Sequence, residues 1–350
     1  QFKFPLVFYS LILERIQGLM PKEAYLIDPD GNSKSFLVEP FLEEFHLNRK
    51  EIEKLLNGEK PAPFLKSGCK SSPWFSICLE ESKGCEDISL VHSLSQSDQR
   101  HLYEAGIKTV QDLAEADLEK LRQNFEDWQF DKILRLQNQA QVLIKGEPLV
   151  LKKPEFPEAE TEIYFDVESD PTRGYDYLFG LLIKNPSTGS GQAEFKYFLA
   201  DNKDEEEKAF RDFLNYLNTL QNYVIYHYGY YEKTVIYRLQ TKYNISQETL
   251  RPLRENSIDL HNILNESVVM PLYFYSLKDV AKLIGFNWSA EGAGGAESVV
   301  WYDEYIRTGD KKIISKILKY NEDDCKATMV VKEWLAGLKP TLKEKEKLPE

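Results

Sequence analysis

Two carboxylates interrupt an otherwise apolar stretch of the sequence, "IYFDVESD", which runs from Ile163 to Asp170. β-Branched and aromatic residues dominate this stretch and Pro171 follows it, so we predict a β-strand. Side chains alternate between the two faces of a strand, which places Asp166 and Glu168 on the same face. Two carboxylates on one face of an interior strand repel each other and are poorly solvated. The pattern predicts a positive partner, either an arginine or a metal ion. It leaves open that both acids are simply salt-bridged strand residues.

Another acid stands on the apolar side of a predicted helix that spans about Lys311 to Trp334. The apolar stripe of this helix includes Ile317 and Val331, and Asp324 occupies a position where the stripe requires an apolar side chain. Tyr320 lies one turn earlier on the same side. A buried aspartate without a compensating partner is costly, so this pair is a candidate for chemistry. The alternative is an ordinary solvated helix face.

Three further titratable residues are candidates near predicted strand ends. Glu232 follows the strand "YVIYHYG" and begins a helix, where residues of α/β folds often converge on ligands. It could also simply favour the helix N-terminus through the dipole. Asp259 in "SIDLHNIL" is a satellite candidate, and His227 is a secondary one that more often would be a satisfied buried histidine.

The elements that position these residues alternate strand and helix between residues 161 and 338. "TEIYFDVES", "YLFGLLIK" and "EFKYFLA" read as three successive strands, with the turn "NPSTGSGQ" between the last two. Helices and a fourth strand follow. Three strands and then alternating elements predict an α/β fold, with a ribonuclease-H-like mixed sheet and flanking helices.

The front of the chain divides into segments of different composition. The pattern of residues 1–88 predicts a helix, a hairpin with Asp-Gly at its turn and a helix from about Glu43 to Leu56. A segment with three cysteines follows. Residues 89–150 are mostly helical, 151–160 form a linker with two prolines, and 339–350 form a charged tail. This organisation predicts a helical hairpin region and a partial α+β segment before the ribonuclease-H-like domain.

The composition excludes several classes of protein. Hydrophobic residues make up 42% and charged residues 29% of the 350 residues, which is typical of a globular chain rather than a disordered one. No apolar run approaches the roughly 20 residues that a membrane-spanning helix needs, so we expect no membrane partner. Only four cysteines are present, which favours a cytoplasmic location. The net charge of −13 argues against a uniformly basic nucleic-acid binder, although a local groove can still be basic.

Residues 161–338 resemble the DEDD exonuclease superfamily in its tyrosine-containing branch. Its three motifs correspond in order and spacing to "DVE" (166–168), "YE" (231–232) and "YNEDD" (320–324). Together with "YLFGLLI", they look more narrowly like a YprB-type ribonuclease-H-like domain. Glu232 departs from the pattern, because the family usually has an aspartate there, one methylene shorter.

The resemblance implies a 3′-to-5′ exonuclease that hydrolyses phosphodiesters with two divalent cations, Mg²⁺ or Mn²⁺. Two such ions stabilise the attacking and leaving oxygens, and carboxylates are the hard ligands they prefer. Asp166 would bridge the metals, Glu168 and Asp324 would complete their shells, and Glu232 would act through a water. Tyr320 would orient the attacking water.

The expected partner is DNA or RNA, as a single strand held by stacking and backbone contacts. Tyr228, Tyr230 and Tyr231 are the nearby aromatic candidates, although tyrosines more often serve packing. The sequence leaves open a helicase partner or a fused region beyond the termini. The rival interpretation is a non-catalytic nucleic-acid-binding or scaffold protein with a degenerate ribonuclease-H-like domain.

Residues 1–88 resemble the end of a RecB-like nuclease domain of the AddB type. That family places an iron–sulfur cluster on Cys-x-x-Cys-x5-Cys; Cys69 and Cys78 match the outer positions, but Ser72 replaces the middle one. Tyr9 matches the family's Gln-x-x-x-Tyr helix, but Pro5 stands in place of the glutamine. We therefore predict no cluster and no catalysis in this segment, and the alternative to a ligand role is a structural segment with free thiols.

The stretch "LYEAGIKTVQDLAEA" resembles a helix-hairpin-helix module. Such hairpins offer backbone amides to phosphates, which makes Gly106 and Lys108 candidates for nucleic-acid binding. The alternative is a plain packing hairpin, since only one of the two usual glycines is present.

Overall fold

The structure is a computed structural model that describes residues 3–27, 31–185, 193–289 and 295–339. Three sequence predictions fall at least partly outside these ranges. They are the Asp30 position of the hairpin turn, most of the turn "NPSTGSGQ", and all but the first residue of the charged tail.

The chain divides into two compact units, residues 1–63 and 64–350. The elements of the first unit are α1 (Lys3–Gln17), β1 (Glu23–Ile27), β2 (Ser33–Leu37) and α2 (Leu42–Leu56). The two strands pair antiparallel, as the hairpin pattern predicts. The core of this unit is small and centres on Val7, Ala24 and Val38.

The second unit begins with a helical region, which we call the helical front (residues 64–150). It contains α3 (Phe75–Gly84), α4 (Gln96–Glu104), α5 (Val110–Glu115), α6 (Leu118–Asn124), α7 (Phe130–Lys145) and the short strand β3 (Leu149–Val150). Leu65 and Ile88 pack in one core with Leu102 and Leu113. Residues 64–88, which the sequence analysis grouped with the first segment, therefore lie in the second unit, because their apolar side chains complete the core of the helical front.

The remaining elements carry the five-stranded sheet. They are β4 (Thr161–Asp170), β5 (Tyr175–Lys184), β6 (Ala193–Leu199), α8 (Glu206–Asn218), β7 (Tyr223–His227), α9 (Tyr231–Lys242), α10 (Gln247–Glu255), β8 (Ser257–Asp259), α11 (Leu260–Ser267), β9 (Val268–Val269), α12 (Leu277–Leu283), α13 (Gly295–Thr308) and α14 (Lys311–Ala336). The order in the sheet is β6-β5-β4-β7-β8. β4, β5 and β6 pair antiparallel, whereas β7 and β8 join parallel to β4.

The alternation along β4 sets the two layers of helices. Ile163, Phe165 and Val167 face a core made with α8, α9 and α10. Tyr164 faces the opposite core, to which α11, α12 and α14 contribute. Because Asp166 lies two residues from Tyr164, its side chain projects toward α14.

These observations confirm the predicted α/β fold class, a mixed sheet with flanking helices of ribonuclease-H-like type. α12 and α13 were not predicted, since α12 has barely two turns and offers too short a window for a helical period. In the part of the chain that is described, no helix has both the length and the apolar character needed to cross a membrane.

Candidate active site

Three of the four predicted acids meet at one point of the fold. Asp166, Glu168 and Asp324 each offer a carboxylate oxygen, and these oxygens all lie within 4.8 Å of one another. Asp166 is half-buried and the other two are buried. Within the described ranges, no other group of three histidine, cysteine or acidic side chains is as close. We call these three residues the acidic trio.

The trio forms because α14 lies close against the face of β4 that carries the carboxylates. Asp166 pairs across the sheet with Gly180 of β5. A Cβ at Gly180 would lie only 1.6 Å from Oδ1 of Asn321, so a side chain there would collide with α14. The glycine therefore makes room for Asn321 directly above Asp166.

Neutral donors hold the two strand carboxylates in place. Nδ2 of Asn321 donates to Oδ2 of Asp166 over 2.6 Å. Oγ of Ser298, on α13, donates to Oε2 of Glu168 over 2.8 Å. Neutral donors that fix the orientation of the carboxylates suit a metal site with an ordered outer shell.

An aromatic side chain holds the carboxylate on α14, and Tyr320 lies beside it. Nε1 of Trp288 donates to Oδ1 of Asp324 over 2.7 Å. Burial, followed by the charges of the trio, raises the pKa of the Tyr320 phenol. Tyr320 is therefore neutral at neutral pH and keeps its hydroxyl proton as a donor.

Without a bound cation, the surroundings of the trio oppose ionisation of its carboxyl groups. Burial, and then the charges of Asp324 and Glu168, raise the pKa of Asp166 well above its usual range. Burial and the charge of Asp324 raise the pKa of Glu168 to about 8. Burial raises the pKa of Asp324 to about 6, although Trp288 and Lys278 act in the opposite direction. Three converging oxygen ligands that resist ionisation fit a divalent cation, whose charge would reverse this shift.

The adjacent aspartates of "YNEDD" have different tasks. Asp323 accepts hydrogen bonds from the backbone N–H of Ser289, over 2.8 Å, and from its hydroxyl. Lys319 also lies 3.1 Å from its carboxylate. Although burial raises the pKa of Asp323, these partners bring it below the usual value. Asp323 therefore fastens the segment after Trp288 to α14, and Asp324 is the one that joins the trio.

Glu232 is near the trio but is not part of it. Only 6% of Glu232 is exposed, and its charge contributes to the raised pKa of Asp166. It lines the same cavity as Asp166, from the first turn of α9. Nδ1 of His227 lies 3.7 Å from Oε2 of Glu232, and neither ring nitrogen of this buried histidine has a hydrogen-bond partner among the described residues. The position is compatible with a role through a water.

Asp259, the satellite candidate, serves the backbone. Its Oδ1 accepts hydrogen bonds from the N–H of His261, over 3.0 Å, and from the N–H of Gly229, over 2.9 Å. It therefore caps α11 and holds the loop that precedes α9, at a distance from the trio's group of oxygens.

Asp166 and Asp324 line an open cavity of about 810 Å³, and all three residues of the trio line a smaller one of about 280 Å³. Asp166, Tyr231, Tyr320 and Asp324 line both. The predicted nucleic-acid tyrosines differ in exposure. Tyr230 and Tyr231 are exposed at the larger cavity, whereas Tyr228 packs into the wall and donates to the backbone oxygen of Tyr275 over 2.7 Å.

The two remaining sets of candidates lie in other surroundings. The amide of Lys108 donates to the carboxylate of Asp112 over 3.0 Å, and the amide of Gly106 donates to the backbone oxygen of Tyr103. These loop amides are thus engaged within the protein, and their binding to phosphate stays a prediction. Cys69 is half-buried and Cys78 is exposed.

Several site residues escaped the sequence analysis. Gly180 and Asn321 carried signals, because a glycine inside a strand often marks a close approach and Asn321 lies within "YNEDD". Trp288, Ser298 and Lys278 carried none, since they belong to segments for which no element was predicted.

Comparison with known proteins identifies the domain that contains the trio. Residues 163–336 match the family model of the RNase H superfamily. No curated protein and no solved structure matches the chain. The match supports an RNase-H-like domain in this part of the chain, which suggests nuclease-type activity and implies a nucleic-acid substrate. The finer likenesses, to YprB and to RecB-like nucleases, stay predictions.

Proposed function

We propose that this protein is a metal-dependent nuclease that removes nucleotides from the 3′ end of single-stranded DNA or RNA. The observation that carries the proposal is the acidic trio, two buried carboxylates and a half-buried one whose oxygens lie within 4.8 Å of one another beside an open cavity in an RNase-H-like domain.

The donor set fits two divalent cations, Mg²⁺ or Mn²⁺. Asp166, Glu168 and Asp324 would hold the ions, and Glu232 would act through a water. Bound ions of this kind stabilise the charge on the attacking and leaving oxygens of a phosphodiester.

Side chains around the trio would orient the attacking water and the nucleic acid. Tyr320 is neutral and lines both cavities beside the trio, so its hydroxyl could orient a water molecule there. Tyr230 and Tyr231 present exposed rings beside the cavity, where bases could stack. Ser67, Lys70 and His92 of the helical front also line this cavity. A wall formed by them would favour a strand end over the middle of a duplex.

The test is hydrolysis of 5′-labelled single strands, DNA and RNA, with Mn²⁺ or Mg²⁺. Wild type should shorten the strands stepwise from the 3′ end. Asp166→Asn should slow this by roughly a thousandfold, because the several kcal/mol that metal ions supply correspond to about that factor. Asp212→Asn is the matched control, since Asp212 is a partly exposed acid on α8, which packs on the opposite side of the sheet.

Equal rates for wild type and Asp166→Asn would contradict the assignment of the trio. Binding of single strands without hydrolysis by wild type would instead support the rival, a non-catalytic nucleic-acid-binding protein.

A further inference from the structure

A lysine lines the larger cavity beside the acidic trio. Lys278 lies in the first turn of α12, which Ser276 caps by accepting a hydrogen bond from the N–H of Asp279. It lines the larger cavity together with Asp166 and Tyr320. Neither the sequence analysis nor the family match assigns this residue a role.

The ammonium group of Lys278 is close to the aromatic rings beside Asp324. Its Nζ lies 4.8 Å from the centroid of the Tyr320 ring and 5.8 Å from that of Trp288. Its positive charge also lowers the pKa values of Glu168 and Asp324 against the effect of burial. The lysine is therefore within electrostatic range of the trio from a neighbouring element.

The charge balance around this lysine changes when cations occupy the trio. A charged ammonium group has no lone pair and cannot be a metal ligand. With divalent ions bound to the carboxylates, Lys278 faces additional positive charge rather than negative charge. An anion entering the cavity would relieve this repulsion, and the phosphate of a nucleic acid is the anion that the proposed function brings there.

We propose that Lys278 contacts the phosphate that is to be cleaved, donating from its ammonium group to a non-bridging oxygen. This inference rests on the proposed nuclease function and adds to it a substrate-binding cation that belongs to the protein. Such a donor strengthens as negative charge builds up on the phosphate during hydrolysis, so it would act on turnover as well as on binding.

The experiment compares Lys278→Met and Lys278→Arg with wild type. Lys282→Met is the matched control, because Lys282 is an exposed lysine in the last turn of the same helix. With Mn²⁺ and a labelled single strand, we expect kcat of Lys278→Met to fall about 100-fold, the usual cost of removing one donor to a developing oxyanion. Lys278→Arg should recover part of this loss, and Lys282→Met should behave as wild type.

Two binding measurements separate a phosphate contact from a structural defect. Mn²⁺ affinity without nucleic acid, measured by electron paramagnetic resonance, should be unchanged or tighter in Lys278→Met, because a positive charge has been removed beside the metal site. Binding of a fluorescent single strand in Ca²⁺ should lose about 0.7 from the slope of log K against log salt concentration, the value expected for one lost phosphate contact.

The outcomes are distinguishable. Unchanged kcat and an unchanged salt slope would overturn the role of Lys278, as would a loss of Mn²⁺ affinity equal to the loss of kcat, which signals damage to the trio. If wild type binds strands but never cleaves them, the nuclease proposal fails while the salt slope still decides whether Lys278 contacts phosphate. If wild type neither binds nor cleaves, both proposals fail.

Discussion

Three closely spaced carboxylates repel one another unless protons or cations neutralise them. Burial raises the pKa values of Asp166, Glu168 and Asp324, and the charges of neighbouring trio members add to the shifts of Asp166 and Glu168. The hydrogen bonds from Ser298 and Trp288 offset the shifts only in part. The trio thus destabilises the metal-free protein and could hold a divalent cation, for the same electrostatic reason.

The raised pKa of Glu168 predicts how the stability of the protein depends on pH when a chelator removes metal ions. The pKa of Glu168 is about 8 when folded, against an ordinary value of 4.5. Between these values the unfolded chain releases the proton that the folded protein keeps. The free energy of unfolding should therefore fall as pH rises from about 4.5 to about 8, by at most about 1.4 kcal/mol per pH unit for this group.

Urea titrations in EDTA at pH 5, 6.5 and 8 measure this dependence. Glu168→Gln cannot ionise and should give a shallower decline than wild type, and Mg²⁺ should restore much of the stability of wild type at pH 8. Parallel declines for wild type and Glu168→Gln would show that the raised pKa of Glu168 is wrong.

At the scale of elements, the contact between β5 and α14 sets the geometry of the site. α14 can lie close to the sheet because Gly180 has no side chain, and Asn321 fills the space that a Cβ would occupy. The same helix directs Asp323 to the backbone at Ser289 and Asp324 to the trio. Two adjacent residues of this helix thus have different roles: Asp323 anchors the backbone at Ser289, and Asp324 contributes a carboxylate to the trio.

Gly180→Ala is expected to turn the amide of Asn321 away from Asp166. Outer-shell hydrogen bonds of this kind are worth about 10–100-fold in metal affinity or activity. We therefore expect a loss of that size in Mn²⁺ affinity, measured by calorimetry, with the circular dichroism spectrum of the fold retained. Gly84→Ala is the control, because a Cβ at Gly84 would meet no atom within 4 Å. Equal metal affinity in both variants would contradict the proposed role of Gly180.

At the scale of the molecule, every residue of the site belongs to the unit of residues 64–350. Within this unit, Gln139 connects the helical front to the segment before α12. Its Nε2 donates to the backbone oxygen of Met270 over 2.8 Å. The hydroxyl of Tyr275 donates to Oε1 of Gln139, and the ring of Tyr275 stacks on His92 at 3.8 Å between centroids. The helical front therefore supports the segment that leads into α12 and Lys278.

Two truncations test this division. A chain of residues 64–350 should keep the Mn²⁺ affinity and kcat of the full chain, because residues 1–63 contribute no site residue. A chain of residues 151–350 should lose stability and activity, since it exposes the apolar surface around Tyr275 and removes Lys70 and His92 from the cavity. Thermal melts and strand hydrolysis measure both, and full activity in the shorter chain would contradict a role for the helical front.

The sequence by itself determined whatever depends on a local period. The alternation of β4 placed Asp166 and Glu168 on one face, and the stripe of α14 placed Asp324 and Tyr320 on another, because a strand repeats every two residues and a helix every 3.6. The RNase-H-like fold class also followed from the order of short patterns. That these acids meet at one point was only an expectation from the sequence. In the structure, oxygens of Asp166, Glu168 and Asp324 lie within 4.8 Å of one another.

Only the tertiary structure decided the partners of these acids. Trp288 and Ser298 lie 36 and 130 residues from the carboxylates to which they donate, and they reach them through the packing of α13 and of the residues around Trp288. The structure also placed Glu232 beside the trio rather than in it, and residues 64–88 in the second unit. Such contacts depend on how whole elements pack, and no short stretch of sequence contains that information.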